Sequence, residues 1–300
     1  MDFKAFEEFC ALEKIEYKVN EPMCCHTSFK IGGPADFFSA VNSVSQLKKV
    51  ILKLKELRIP YFILGKGSNL LVSDKGIEGV VISLLSMNNV EVLDDVIVAD
   101  AGASLASVCV AAANNSLTGL EFAYGIPASV GGALFMNAGA YGGEMSDVVL
   151  KAEFLDENGN LGVISAEELN LGYRTSIFKK SDKIITRVYF KLNKGNEAEI
   201  RAAMDDFMGR RKSKQPLEFP SAGSTFKRPV GYFAGALIEQ NNLKGFSIGG
   251  AMVSEKHAGF VINYNNATCE DVKKLISHIK DTVYKADNVE LQPEVILVGR

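Results

Sequence analysis

The chain has 300 residues, 47% hydrophobic and 23% charged, with a net charge of −3. That balance belongs to an ordinary globular protein with length for two or three domains, and it gives no electrostatic reason to expect nucleic acid or an anionic membrane as partner. No apolar run approaches the roughly 18 residues of a membrane span, the acidic start Met1–Glu8 lacks a signal peptide's apolar core, and Cys10, Cys24, Cys25, Cys109 and Cys269 are odd in number without a C-x-x-C.

Those cysteines read as reduced thiols, so a cytoplasmic protein is expected. Residues 2–14 form an amphipathic pattern. Ser45 stands where it can cap a helix with Leu47, Val50, Ile51, Leu54 and Leu57 inward, stopped by Pro60. Tyr61–Leu64 follows as a strand, completing a strand–helix–strand alternation. Beyond residue 85 helices thin out and short strands dominate: Val90–Leu93, Val96–Ala99, Val149–Leu155 with an Asn158-Gly159 turn, and Ile184–Leu192. A helix then carries Ile200, Met204 and Phe207 into the basic cluster Arg210-Arg211-Lys212-Ser213-Lys214, and Pro216 ends it. Further elements are a helix near 232–242, strands near 247–248 and 259–263, a helix opened by Thr268 and Asp271 as a capping box, and a final strand 295–298.

Two stretches carry more glycine than any helix or strand needs. One is Tyr124-Gly125-Ile126-Pro127-Ala128-Ser129-Val130-Gly131-Gly132, continuing through Asn137, Gly139, Ala140 and Tyr141. Such density signals backbone pressed closely against something, or backbone at positive φ. The other is Gly65-Lys66-Gly67-Ser68-Asn69. It begins like G-x-G-x-x-G, but Leu70 holds the sixth position and a strand follows instead of a helix, so the Rossmann conditions fail. A phosphate-binding P-loop motif is also absent. Two glycine loops about sixty residues apart nonetheless suit a dinucleotide, whose pyrophosphate accepts several backbone N–H groups at once. No Cys/His/Asp spacing resembles a metal site.

Together with Thr27–Ala35, Tyr173-Arg174-Thr175-Ser176, Ser221–Lys227 and Gln292-Pro293-Glu294-Val295, these motifs resemble the UDP-N-acetylenolpyruvoylglucosamine reductase family, in order and over nearly the whole chain. The resemblance implies an α+β protein: a vanillyl-alcohol-oxidase (PCMH)-type FAD-binding fold in two subdomains, plus a smaller α+β substrate-binding domain. The division expected is 1–85, 86–195 joined by the C-terminal strand 289–300, and 196–288. Also implied are non-covalent FAD on the two glycine loops, NADPH as co-substrate, and a UDP-sugar whose enolpyruvyl group is reduced for peptidoglycan precursor synthesis. No obligatory protein partner is expected. The span from Gly195 to Ser224 matches the shorter type, without an extra tyrosine-bearing loop.

Residue by residue, the resemblance makes Arg174, Ser224 and Glu294 catalytic. A hydride added to the vinyl methylene pushes charge towards the substrate carboxylate, and a fixed guanidinium suits that carboxylate. Ser224 becomes the proton donor to the adjacent carbon. Glu294 lies beside the same charge, protonated when it acts or paired with Arg174. Lys227, His257, Lys212 and Lys214 are candidate substrate contacts, and Arg228 stands where some relatives have Asn. Taken singly, each has an ordinary structural reading: a surface Arg, a turn Ser, a strand-end Glu. A flavin oxidase acting on an alcohol or lactone, or a flavin-binding module without catalysis, are the alternatives.

Overall fold

Local signals place most elements in the computed structural model, which describes all 300 residues. Helix Phe3–Leu12 is capped by the Asp2 carboxylate, which accepts from Ala5 N at 3.0 Å. Helix Val44–Leu57 buries Leu47, Val50, Ile51 and Leu54, as its spacing requires. Its cap is Ser43 rather than Ser45. Ser43 has extended backbone and its hydroxyl accepts from Gln46 N, whereas Ser45 already lies in the first turn. The last helix, Cys269–Asp287, opens on the Thr268/Asp271 capping box.

Two features depart from the expectations. Leu105–Asn114 is a helix. It is nearly all apolar and alanine-rich, and buries Leu105, Val108, Cys109, Ala112 and Ala113, so no polar face marks its period. Ala251–Val253 is an additional strand, central between Ser247–Ile248 and Val261–Asn263.

The chain divides into two units, each of discontinuous segments: Met1–Val19, Phe37–Lys66 and Gly79–Arg211 in one, Asn20–Asp36, Gly67–Glu78 and Lys212–Arg300 in the other. The first holds a five-stranded antiparallel sheet in the order Leu161–Ser165, Val149–Leu155, Ile184–Lys191, Val96–Asp100, Val90–Leu93. Tyr61–Leu64 pairs in parallel with Ile77–Ser83 in a four-stranded sheet. The first unit's core runs from Phe6 and Phe37 through Leu47, Val108 and Leu134 to Phe190 and Met204.

The second unit has its own core, in which Phe29, Ile31 and Leu71 join Phe226, Leu237, Val253, Val272, Leu275 and Ile279. Its last strand, Ile296–Val298, pairs in parallel with Leu70–Val72. The division expected from the motifs joins that strand to 86–195. The open partner lies instead in the segment following the first glycine loop. No helix is long and apolar enough to cross a membrane. All five cysteines are free, and burial pushes the Cys10 and Cys109 thiols up to about 12.

Candidate active site

In the first unit Gly65 and Lys66, which open one glycine stretch, meet the other. A Cβ added to Gly65 would fall 2.2 Å from the Ser129 hydroxyl, and one at Gly131 would fall 2.9 Å from the Ala101 Cβ. Lys66 Nζ donates to the Ser104 hydroxyl at 2.9 Å, and Ser104 bridges Ser129 through the backbone. Ser129 caps the short helix Val130–Phe135 by accepting from Gly132 N.

The donors at that helix start are engaged within the protein. Val130 N donates to Ala103 O at 2.9 Å and Gly131 N to Ala101 O at 2.8 Å. The N–H groups of Lys66, Gly67 and Ser68 have no acceptor within the chain. A glycine turn whose N–H donors are unmet within the chain fits the pyrophosphate of a flavin dinucleotide. Ser129, Gly131 and Gly132 then serve by close packing more than by donation. Neither loop contains a histidine for covalent attachment.

Arg211, at the end of helix Glu197–Lys214, lies against this stretch, its Cδ 3.0 Å from where a Gly125 Cβ would be. No ion pair or hydrogen bond engages its guanidinium, and burial pulls its pKa below the usual arginine range, with Tyr141 opposing that shift. A cation withdrawn from water without an acidic partner is a place for an anion. In the sequence nothing distinguishes Arg211 from the solvent-facing Lys212 and Lys214, because only the helix phase separates one from the others. Tyr141 itself has φ +54 and stacks on Phe207 at 4.8 Å. Asn137 is fully buried. Its amide donates to Gly172 O at 3.1 Å and its carbonyl accepts from Ser146 N at 3.0 Å, tying this stretch to the turn that carries Arg174.

Arg174 also belongs to the first unit. It sits at φ +54, left-handed for a residue with a Cβ, in the turn closed by mutual Gly172 and Thr175 backbone bonds. Lys179 Nζ donates to its carbonyl at 2.9 Å, and Ser176 Oγ anchors the following segment to Phe135 O at 2.8 Å. A strained, over-determined backbone under a guanidinium is how a charged group is aimed.

The other two expected catalytic residues lie in the second unit, on adjoining segments. Glu294 N donates to Thr225 O, Lys227 N to Gln292 O (each 2.8 Å), and Phe226 bridges Pro293. Thr225 is buried and makes the junction rigid. Its N–H donates to Gly259 O at 2.9 Å, and its hydroxyl accepts from Val261 N at 2.9 Å. Ser224, immediately before it, is exposed. Asn69, from the Gly65–Asn69 loop, donates through its side-chain amide to Glu294 O at 3.2 Å, and its backbone carbonyl accepts from Ile296 N at 2.9 Å. Thr225 was unremarkable as sequence, since nothing in S-A-G-S-T-F-K marks which hydroxyl is a strut.

His257 adjoins the same turn. Its Nδ1 accepts from Gly259 N at 3.1 Å, which puts its proton on Nε2, and its ring meets Phe260 edge-on at 5.0 Å. Burial lowers its pKa, with the charge of Lys244 adding to the effect. Lys212 and Lys214 are exposed, and the Lys212 carbonyl accepts from Lys256 Nζ at 2.8 Å. No group of three or more His, Cys, Asp or Glu side chains is placed to hold a metal ion.

The comparisons with known proteins agree with this chemistry. Residues 35–165 match an FAD-binding domain, and residues 215–298 match the C-terminal domain of UDP-N-acetylenolpyruvoylglucosamine reductase. The reductase of that name from Caldanaerobacter subterraneus is 54% identical over 281 residues, covering 94% of this chain and 93% of its own length. The Clostridium beijerinckii reductase is 51% identical over 287 residues, covering 96% of this chain and 94% of its own length. The crystal structure of UDP-N-acetylenolpyruvylglucosamine reductase from Thermus caldophilus superposes with a TM-score of 0.79 at 34% identity, covering 95% of this chain and 98% of that one. The fold is therefore α+β, with the PCMH-type FAD-binding arrangement expected from the motifs.

Proposed function

The chain belongs to the UDP-N-acetylenolpyruvoylglucosamine reductase family, and from that premise we infer that it is an FAD-dependent oxidoreductase reducing the enolpyruvyl ether of UDP-N-acetylglucosamine to UDP-N-acetylmuramate, in peptidoglycan precursor synthesis. The observation that carries this reading at residue level is the Thr225 junction, which holds Ser224 exposed beside the Glu294 backbone. We take NADPH as the reductant and the cytoplasm as the setting.

When bound, FAD supplies a hydride to the vinyl methylene carbon. The chain's own residues do the rest. Arg174 holds the substrate carboxylate in its fork and offsets the charge that develops there. Ser224 Oγ delivers a proton to the neighbouring carbon. Glu294, protonated or paired with a cation, steadies the enolate oxygen. Lys66, Gly67 and Ser68 offer N–H donors to the pyrophosphate, and Arg211 offers a positive charge to an anionic part of the cofactor. Lys227 and His257 flank the Ser224 segment as substrate contacts.

An anaerobic titration tests the reading. NADPH is expected to bleach the yellow protein, and the enolpyruvyl substrate to restore the colour. Recovery with oxygen but not with that substrate would point to the oxidase chemistry instead.

A further inference from the structure

We propose that Asn69 is a positioning residue for Glu294, its side-chain amide fixing the peptide on which that carboxyl group is mounted and so setting the carboxyl's aim in the substrate half-reaction; the proposal rests on the reaction inferred above.

Glu294 stands where its segment changes partners. Before it the chain pairs with the Ser224 segment, Lys227 N donating to Gln292 O and Glu294 N to Thr225 O. After it Ile296–Val298 runs in parallel with Leu70–Val72, and the first rung of that ladder is Ile296 N on Asn69 O. The Glu294 carbonyl falls between the two pairings. Asn69 reaches it with its side chain, Nδ2 donating at 3.2 Å. One residue thus holds the chain on both sides of Val295, by its backbone oxygen and by its amide.

The side chain of Glu294 inherits this restraint. With its N–H tied to Thr225 and its C=O to Asn69, both backbone dihedrals are held, and the direction of the Cα–Cβ bond with them. Gln292 and Pro293 are exposed and Glu294 is half-buried, so packing alone does not fix the segment. The parallel ladder is complete without the amide, so strand pairing does not require it. Aim does, because a misplacement of about 1 Å at a reacting group can cost on the order of 10²-fold in rate. Gly67 and Ser68, immediately before Asn69, offer the N–H donors suited to a pyrophosphate, so one short turn references the carboxyl to the cofactor loop.

The test is a double-mutant cycle in the flavin-loaded protein, following bleaching by NADPH and recolouring by the enolpyruvyl substrate. Asn69→Ala is expected to slow recolouring on the order of tenfold, the effect of one lost hydrogen bond. The substrate concentration giving half the maximal recolouring rate should hardly change, since the carboxyl acts on charge that develops during reaction, and bleaching should suffer much less. Asn69→Leu, similar in shape but without the donor, should behave alike. In a Glu294→Ala background neither change should add to the loss, because no carboxyl remains to be aimed. Amide exchange across residues 292–298, read by mass spectrometry, should quicken in both Asn69 variants, while melting temperature and flavin content serve as folding controls. Additive losses in the Glu294→Ala background overturn the proposal, as does unchanged recolouring in both Asn69 variants. So does a fall in flavin content with both half-reactions slowed alike, which would give Asn69 to the cofactor alone. A wild-type protein that the substrate does not recolour sinks the inferred reaction itself, so the two failures are told apart.

Discussion

Arg174 and Tyr141 occupy left-handed backbone that favours glycine, at φ +54 in both cases. Each such residue costs of order 1–3 kcal/mol and persists only where the surroundings enforce it. Ser224 is different: it is unstrained and exposed, and chemistry alone argues for it. If its hydroxyl delivers the proton, Ser224→Ala should slow recolouring by substrate about 10²-fold or more, with a much smaller effect on bleaching by NADPH. Equal slowing of both half-reactions would remove that role. His257 predicts a pH effect. Its imidazole is held below the ordinary value chiefly by desolvation, so the folded protein binds the proton less readily than the unfolded chain, where histidine titrates near about 6.5. Stability is untouched well above that pH and declines as pH falls through it, because the unfolded state then gains a proton that the folded state resists. His257→Asn is expected to flatten the fall in Tm between about pH 7 and pH 5; parallel curves would assign the fall to other groups.

Elements explain what single residues do not. Gly65 ends one strand and Ser129 begins one short helix, yet each leaves no room for more at the other. Gly65→Ala should push the Ser129 hydroxyl off its cap, at a cost of about 1 kcal/mol, and loosen the flavin. The flavin-to-protein ratio after gel filtration and the melting temperature read the two effects, and Ser129→Gly in the same chain should recover part of both. Full flavin retention with an unshifted Tm would mean that the loops yield freely. The glycine density was legible in the sequence as close packing. Which donors that packing consumes was not, because Ala101 and Ala103 approach from a segment with no motif of its own.

At the scale of the whole chain, the second unit is assembled from three separated stretches. Phe29, Ile31 and Leu71 belong to its core, and the Asp74 carboxylate caps its long helix by accepting from Cys269 N at 2.7 Å and Glu270 N at 3.1 Å. An isolated 212–300 fragment lacks all four residues and the partner of its last strand. It is expected to show no cooperative melting by circular dichroism, and a sharp transition with native helix content would contradict that. The sequence by itself determined the caps, the amphipathic helices, the two glycine loops and the family, because each is written in residues a few positions apart. Only the tertiary structure decided that the C-terminal strand joins Leu70–Val72, that Arg211 is the half-buried cation of its cluster, and that Thr225 is a strut. Those depend on which distant segments meet, and short-range periodicity carries no record of partners two hundred residues away.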